Sequence, residues 1–285
     1  TCSLWFGSNQ MIRNRYPSDI IAYVRGDDVT EAFDEFFRTE MEKHPEFTWQ
    51  SYVYTAFTTE YDPNGSFRIE ADTGSALNSL TGLSSYLETA VMPLSQYNAI
   101  TGQSVELGEN EAMAFLKDGS AFGGNAIELY GKTYTPVEPP ETFPIRGMVS
   151  ANILDAAVLV IPDYEAMLSR IGEEEKLSAS RTVYCADLGD LSDDEQSAYF
   201  AEMFNKGWDD LVFEEEISGG WSLECRVDNE RDAYAMYGTF LFMGISLGLL
   251  FTMAAVLIIY YKQISEGLDD KARFSIMRKV GLSQS

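Results

Sequence analysis

The stretch FLFMGISLGLLFTMAAVLIIYYKQISEGLDDKARFSIMRKVGLS, residues 240–283, decides the fold class. It is apolar and then basic, although the whole chain of 285 residues has a formal net charge of −25. No charged residue lies between Asp232 and Lys262. About 20 apolar residues in a helix, at about 1.5 Å per residue, span a bilayer core. We therefore predict a transmembrane helix over residues 233–261; the alternative is a buried central helix, which seldom runs so long without a charge.

The charges around this helix predict its orientation. The tail, residues 262–285, carries five basic and three acidic residues, a net charge of +2, so the residues before the tail carry −27. Basic residues close to a span are retained in the cytoplasm. The tail is therefore predicted to be cytoplasmic, and residues 8–232 are predicted to form an extracellular domain.

The first residues, TCSLWFG, lack the basic and apolar regions of a signal peptide. We interpret residues 1–7 as the outer end of a preceding membrane helix, which makes the chain a segment of a multi-pass protein. The alternative is a trimmed soluble domain with an irregular first segment.

Strand and helix patterns alternate through residues 8–232, which predicts an α+β domain with a mixed sheet and βα units. The sequence FTWQSYVYTAFTTEY, the turn DPNG and SFRIEAD predict a hairpin. The segments VMPLSQYNAITG (91–102) and VIPDYEAMLSRIG (160–172) both pass from a strand through a proline into a short helix closed by glycine. We expect these two units side by side in one sheet.

Several site chemistries fit the sequence poorly. The stretch YGKT (130–133) resembles the end of a phosphate-binding loop, but the first glycine is missing, and the pattern predicts a strand entering a turn. The segment DPNGSFRIEADT lacks the glycine and final glutamate of a calcium loop. His44 is the only histidine. The acidic groups Asp193/Asp194 and Glu173–Glu175 suit helix starts and solvated surfaces. We expect no catalytic residue, cofactor or metal, and no nucleic-acid partner.

The three cysteines are Cys2, Cys185 and Cys225. Outside a cell, Cys185 and Cys225 are candidates for a disulfide. Buried free thiols fit the sequence equally well.

Small side chains on the predicted membrane helix indicate a packing face. Gly244, Gly248 and Thr252 recur every four residues, so they lie on one side of the helix and let a second helix approach closely. The alternative is that glycine is simply common in membrane helices.

The sequence after the helix, YYKQISEGLDDKARFSIMRKVGLS, places apolar residues among basic ones and predicts a short amphipathic helix at the cytoplasmic face, alongside membrane lipids. Its pattern Ser-Glu-Gly followed by Arg-Phe-x-Ile-Met-x-Lys-Val-Gly resembles the MacB/FtsX-type ABC transporter permeases. The sequence YYKQISEG is most similar to the BceB-like group, which is associated with resistance to peptide antibiotics and with the sensing of these antibiotics. The motif covers about 40 residues of the chain.

This resemblance implies a non-catalytic permease subunit of a bacterial cell membrane that works by mechanotransmission with a separate ATP-binding subunit. The residues that it implies for the contact with that subunit are Glu266, Arg273, Phe274, Ile276, Met277 and Lys279. It also implies a sensor histidine kinase as partner, and a peptide antibiotic or a lipid-linked cell-wall precursor as ligand. The alternatives are an FtsX-like regulator of cell-wall hydrolases, a single-pass receptor ectodomain and a membrane-anchored enzyme.

Overall fold

The computed structural model describes residues 15–61, 66–69, 86–116, 121–140, 155–172, 179–211 and 220–281. The chain divides into two compact units, Thr1–Glu230 and Arg231–Ser285. The first unit is an α+β domain, and the second consists of most of the last helix. The predicted membrane-helix end at residues 1–7 lies outside the described residues.

The described part of the first unit contains ten strands and four helices, and a fifth helix begins in its last residues. The strands are β1 (Ile20–Arg25), β2 (Thr48–Tyr61), β3 (Ser66–Ile69), β4 (Tyr86–Pro93), β5 (Glu111–Leu116), β6 (Ala126–Leu129), β7 (Lys132–Pro136), β8 (Asp155–Ile161), β9 (Ser180–Asp187) and β10 (Gly220–Cys225). The helices are α1 (Asp27–Glu42), α2 (Leu94–Thr101), α3 (Tyr164–Leu168), α4 (Asp193–Asp210) and α5 (Arg226–Lys279).

All ten strands belong to one mixed sheet, as the sequence predicted. Its order is β10-β1-β9-β2-β3-β6-β7-β5-β8-β4, and β4 also pairs with β2. This last pairing closes the strands from β2 to β4 into a ring. Phe57, Val91, Ala114, Ile127 and Leu159 come from five different strands of the ring and belong to one core cluster, so they fill its interior. The sequence did not predict this closure.

The two strand-proline-helix units lie side by side, which confirms their predicted arrangement. Strands β4 and β8 are parallel neighbours, paired from Leu87↔Asp155 to Pro93↔Ile161. Their helices pack on opposite faces of the sheet: Tyr97 of α2 joins the cluster that contains Val158, whereas Met167 of α3 joins the cluster inside the ring.

Both predicted turns connect antiparallel strands. Strands β2 and β3 pair with Glu60↔Arg68, although the turn DPNG itself lies outside the described residues. At YGKT, Tyr130 and Gly131 have φ values of 44° and 77°, and Leu129 pairs with Lys132. Two positive φ values are typical of a type I′ hairpin turn. This stretch is therefore a strand entering a tight turn, as predicted, and not a phosphate-binding loop.

Helices α1 and α4 cover one face of β1, β9 and β10. Phe33 of α1 is fully buried, and its ring centroid lies 5.2 Å from that of Tyr184 and 5.7 Å from that of Trp221. Helix α4 begins with a cap, because Ser192 and Glu195 form a capping box. Asp194 lies in its first turn, whereas the acidic run at Glu173 lies outside the described residues.

The two described cysteines are buried free thiols, so the structure excludes the disulfide alternative. Strand β1 lies between them, with Ile21 opposite Cys185 and Ile20 opposite Cys225. Two strand spacings of about 4.8 Å exceed the Cα separation that a disulfide tolerates. Burial raises the pKa of the Cys185 thiol to about 12, which keeps it protonated and unreactive.

Helix α5 is one continuous helix of 54 residues, which corrects one prediction. The segment after the predicted membrane span is not a separate short helix but the end of α5, and α5 begins at Arg226. Helical structure continues because no proline interrupts the tail and Lys262 pairs with Glu266 at 3.8 Å, four residues away. The helix is long and apolar enough to cross a membrane, and none of its most apolar window is buried in the protein.

We expect replacement of Phe33 by alanine to lower the free energy of unfolding of the domain by about 3–5 kcal/mol, because it empties a fully enclosed aromatic site. The control is Trp208→Ala, at a side chain that is 68% exposed; it should cost less than about 1 kcal/mol. Chemical unfolding in detergent micelles measures both values. Equal costs would show that Phe33 does not anchor α1 to the sheet.

Candidate functional site

The last strand of the α+β domain is followed directly in the chain by helix α5. Strand β10 ends at Cys225, and α5 begins at the next residue, Arg226. The first helical turn, up to Glu230, belongs to the compact unit of the domain. A strand fixed in a sheet therefore passes directly into the helix that continues to Lys279.

Asp19 holds this junction together. Its carboxylate accepts hydrogen bonds from the guanidinium of Arg226 and from the backbone N–H of Leu188, the latter at 2.8 Å. The backbone N–H of Arg226 donates to the carbonyl oxygen of Asp19 at 2.9 Å. Asp19 is only 5% exposed, so its charge is almost removed from water. One buried carboxylate thus joins the start of β1, the end of β9 and the start of α5; we call these contacts the Asp19 clamp.

A second carboxylate lies close to the clamp. Burial, and then the neighbouring charge of Asp19, raises the pKa of Asp187 above its usual range, while Arg226 opposes this shift. The hydrogen-bonded partner of Arg226 is Asp19, and Asp187 feels the charges of both.

Further contacts fix the first turn of α5 and the strand before it. The guanidinium of Arg15 donates to both carboxylate oxygens of Glu224, at 3.1 and 3.2 Å. The side-chain amide of Asn229 donates to the carbonyl oxygen of Cys225 at 2.7 Å, and Val227 is buried. The helix therefore starts from a rigid base.

The predicted packing residues lie along one side of α5. Gly244, Gly248 and Thr252 are four residues apart in continuous helix. A side chain added at either glycine meets no other part of the protein within 4 Å. The hydroxyl of Thr252 donates to the carbonyl oxygen of Gly248 at 2.8 Å, so it presents no free donor to an apolar surrounding.

The predicted contact residues for an ATP-binding subunit all lie in the last part of α5. At about 100° per residue, Glu266, Arg273, Ile276 and Met277 fall within one side of the helix, whereas Phe274 and Lys279 flank that side. The apolar members are exposed, with Phe274 at 69%. The helix therefore brings four of the six together and places the other two beside them.

Sequence reasoning missed the Asp19 clamp. Asp19 and Arg226 are separated by 207 positions, and each is an ordinary charged residue next to a strand. Only the pairing of β1 with β10 brings them together. Within the described ranges, no three His, Cys, Asp or Glu side chains converge as a metal site requires.

The comparisons with known proteins identify no relative. No family model matches the chain, and no curated protein matches it.

We expect Asp19→Ala to lower the free energy of unfolding of the domain by about 2–3 kcal/mol. Removing one partner of a buried ion pair costs about 3–5 kcal/mol, and the exposure of Arg226, 30% of its side chain, reduces the effect. The control is Arg38→Ala, which breaks the exposed Arg38–Asp34 pair and should cost less than about 1 kcal/mol.

A double-mutant cycle of Asp19→Ala with Arg226→Ala, measured by chemical unfolding, separates the pair from the single side chains. A coupling energy near zero would show that the clamp does not hold the junction.

Proposed function

We propose that the chain is a segment of the permease subunit of a mechanotransmission-type ABC transporter that exports, resists or senses peptide antibiotics at a bacterial cell surface. The observation that carries the proposal is the junction of β10 and α5, where a strand enters an apolar helix without a linker and the Asp19 clamp fixes the first turn. A flexible linker would absorb movement, whereas this junction passes it on.

The mechanism follows from the hydrogen bonds that connect the start of α5 to the sheet. Movement of α5 along or about its axis displaces Arg226, and Arg226 is hydrogen-bonded to Asp19 at the start of β1. Asp19 also binds the backbone at Leu188, just after β9. The end of the helix thus acts on three neighbouring strands at once, so the sheet responds to helix movement as a unit.

In this proposal, the membrane arrangement follows from the position of the apolar span and from the basic residues beside it. Residues 233–261 cross the membrane, residues 8–232 are extracellular and the tail is cytoplasmic, since basic residues near a span favour the inside. The side of α5 that contains Gly244 and Gly248 packs against other spans of a multi-pass protein. The resemblance of the tail to MacB/FtsX-type permeases, closest to the BceB-like group, supports this arrangement.

The cytoplasmic end of α5 provides the contact with the ATP-binding subunit. Arg273, Ile276 and Met277 form its centre on one side of the helix, and Phe274 lies beside them. Because α5 is continuous from this contact to the Asp19 clamp, ATP-driven closure of the partner moves the domain through a single helix. The ligand in this proposal is a peptide antibiotic or a lipid-linked cell-wall precursor, and a sensor histidine kinase is a second partner.

The orientation predicts opposite labelling of two engineered cysteines. In a Cys2→Ser background, Asn205→Cys lies on the exposed side of α4, and Val280→Cys lies at the end of the tail, where Val280 is 81% exposed. On intact cells, a membrane-impermeant maleimide should label position 205 at least tenfold more than position 280. Solubilised protein, in which both positions react, is the control. Preferential labelling of position 280 would reverse the orientation.

The partner contact predicts loss of a complex. The full-length protein, purified in mild detergent, should co-purify with the ATP-binding subunit encoded beside it, and Arg273→Asp/Phe274→Asp should reduce the bound subunit at least tenfold. The double substitution changes the net charge of the interface by −3 and removes an apolar contact. Leu268→Asp/Lys271→Asp is the matched control, because it makes the same charge change on the side of the helix opposite Arg273 and Met277. If no such subunit binds, or if both double variants behave alike, the assignment fails.

A further inference from the structure

A crevice of about 650 Å³ lies at the carboxyl ends of β4 and β8. It forms there because the two parallel strands send their helices to opposite faces of the sheet, which leaves a gap between the helix starts. Such a point is where open α/β sheets bind ligands. The volume is within the range of ligand pockets, about 300–1,000 Å³.

The floor of the crevice is one row of side chains across three strands. Val24 of β1 pairs with Thr182 of β9, which pairs in turn with Val53 of β2. Pro93 and Pro162, which end the two parallel strands, form part of the wall. Val24 is fully buried, so the floor exposes the hydroxyl of Thr182 beside the apolar side chain of Val53.

The polar side chains of the crevice are available to a ligand. Ser95, Gln96, Ser180, Thr182 and Glu165 all line it, and their side chains make no hydrogen bond or ion pair within the described part of the chain. Ser95, Gln96, Ser180 and Thr182 can both donate and accept hydrogen bonds, whereas Glu165 only accepts them, and the described part of the lining contains no basic side chain. The carboxylate of Glu165 therefore favours a ligand that carries positive charge and donates hydrogen bonds.

Asp163, the other carboxylate of the lining, is already occupied. It accepts hydrogen bonds from Lys132 at 2.8 Å and from the hydroxyl of Tyr134 at 2.7 Å, and Arg170 lies 3.6 Å away. Burial alone would raise the pKa of Asp163, but the bonds from Lys132 and Tyr134 outweigh it and lower the pKa. Asp163 therefore fixes the wall, and Glu165 remains the only uncompensated charge among the described lining side chains.

We infer that this crevice binds an organic cation, an ammonium or guanidinium group joined to a short apolar body as in a lysine or arginine side chain of a peptide. The cation pairs with Glu165, its hydrogens reach Ser95 and Gln96, and the apolar part lies against Val53 and Thr182. The excess of acidic residues in the chain attracts such a ligand from solution. The inference rests on the proposed function only for the biological role of the ligand.

The competing ligand is an anion, since α1 and α2 also begin at the crevice and neither start is capped by a side chain. Free N–H groups at helix starts attract negative charge. Inorganic phosphate is therefore the competing probe.

Titration calorimetry of the full chain in detergent tests the inference with acetyl-Leu-Lys-Leu-amide and, as the uncharged probe of similar shape, acetyl-Leu-norleucine-Leu-amide. We expect the lysine probe to bind at least tenfold more tightly than the norleucine probe. Glu165→Gln should weaken the lysine probe about five- to tenfold and leave the norleucine probe unchanged, because it removes one charge-assisted hydrogen bond. Glu202→Gln, at an exposed acid of α4 outside the crevice lining, is the matched control and should change neither affinity.

Gln96→Glu tests the inference in the opposite direction, through a gain of affinity for the lysine probe. Position 96 is the third residue of α2, where glutamate favours the helix, so the variant should fold and should bind the lysine probe about threefold more tightly.

Three results would overturn the inference. They are equal binding of the two peptides, an equal effect of Glu165→Gln and Glu202→Gln, and displacement of the lysine probe by phosphate. No ATP-binding subunit is present in these measurements, so their failure is distinct from failure of the complex described above.

Discussion

The contacts of the buried Asp19 carboxylate are the interactions on which the arrangement of β1, β9 and the start of α5 depends. Without it, the N–H of Leu188 would lose its partner in a place that water hardly reaches, and the partly exposed guanidinium of Arg226 would lose its ion pair. Removing a charge from water is costly, and the hydrogen bonds around Asp19 offset that cost only when β1, β9 and α5 all occupy their native positions. The first turn of α5 can therefore make these contacts only when β1 and β9 are correctly paired.

The sequence predicted those features that local composition or periodicity controls. The long apolar helix follows from the absence of charge between Asp232 and Lys262, and the parallel neighbours β4 and β8 follow from the prolines and glycines that end their strands and helices. The capping box at Ser192 is likewise a local pattern. Each of these patterns is local, although β4 and β8 themselves lie far apart in the chain.

Features that depend on distant pairing could not be predicted. The ring closes because β3 pairs with β6 and β5 with β7, and no pattern in strands of four to six residues specifies such partners. Asp19 and Arg226 meet for the same reason. The crevice was not predicted either, because the register of three strands brings Val24, Thr182 and Val53 into one row. The continuous α5 was missed because the charged tail was taken as a separate element, although nothing in it breaks a helix.

The crevice and the Asp19 clamp occupy opposite ends of the same two strands. Asp19 precedes β1 and binds just after the end of β9, whereas Val24 and Thr182 lie near the other ends of β1 and β9. Four residues of strand separate Ile20 from Val24, about 13 Å. Strand β1 is hydrogen-bonded on both sides, to β9 and to β10, so it connects the two sites through backbone hydrogen bonds. If both proposals hold, a ligand that bridges the floor and the wall at α2 and α3 would oppose a displacement of Arg226.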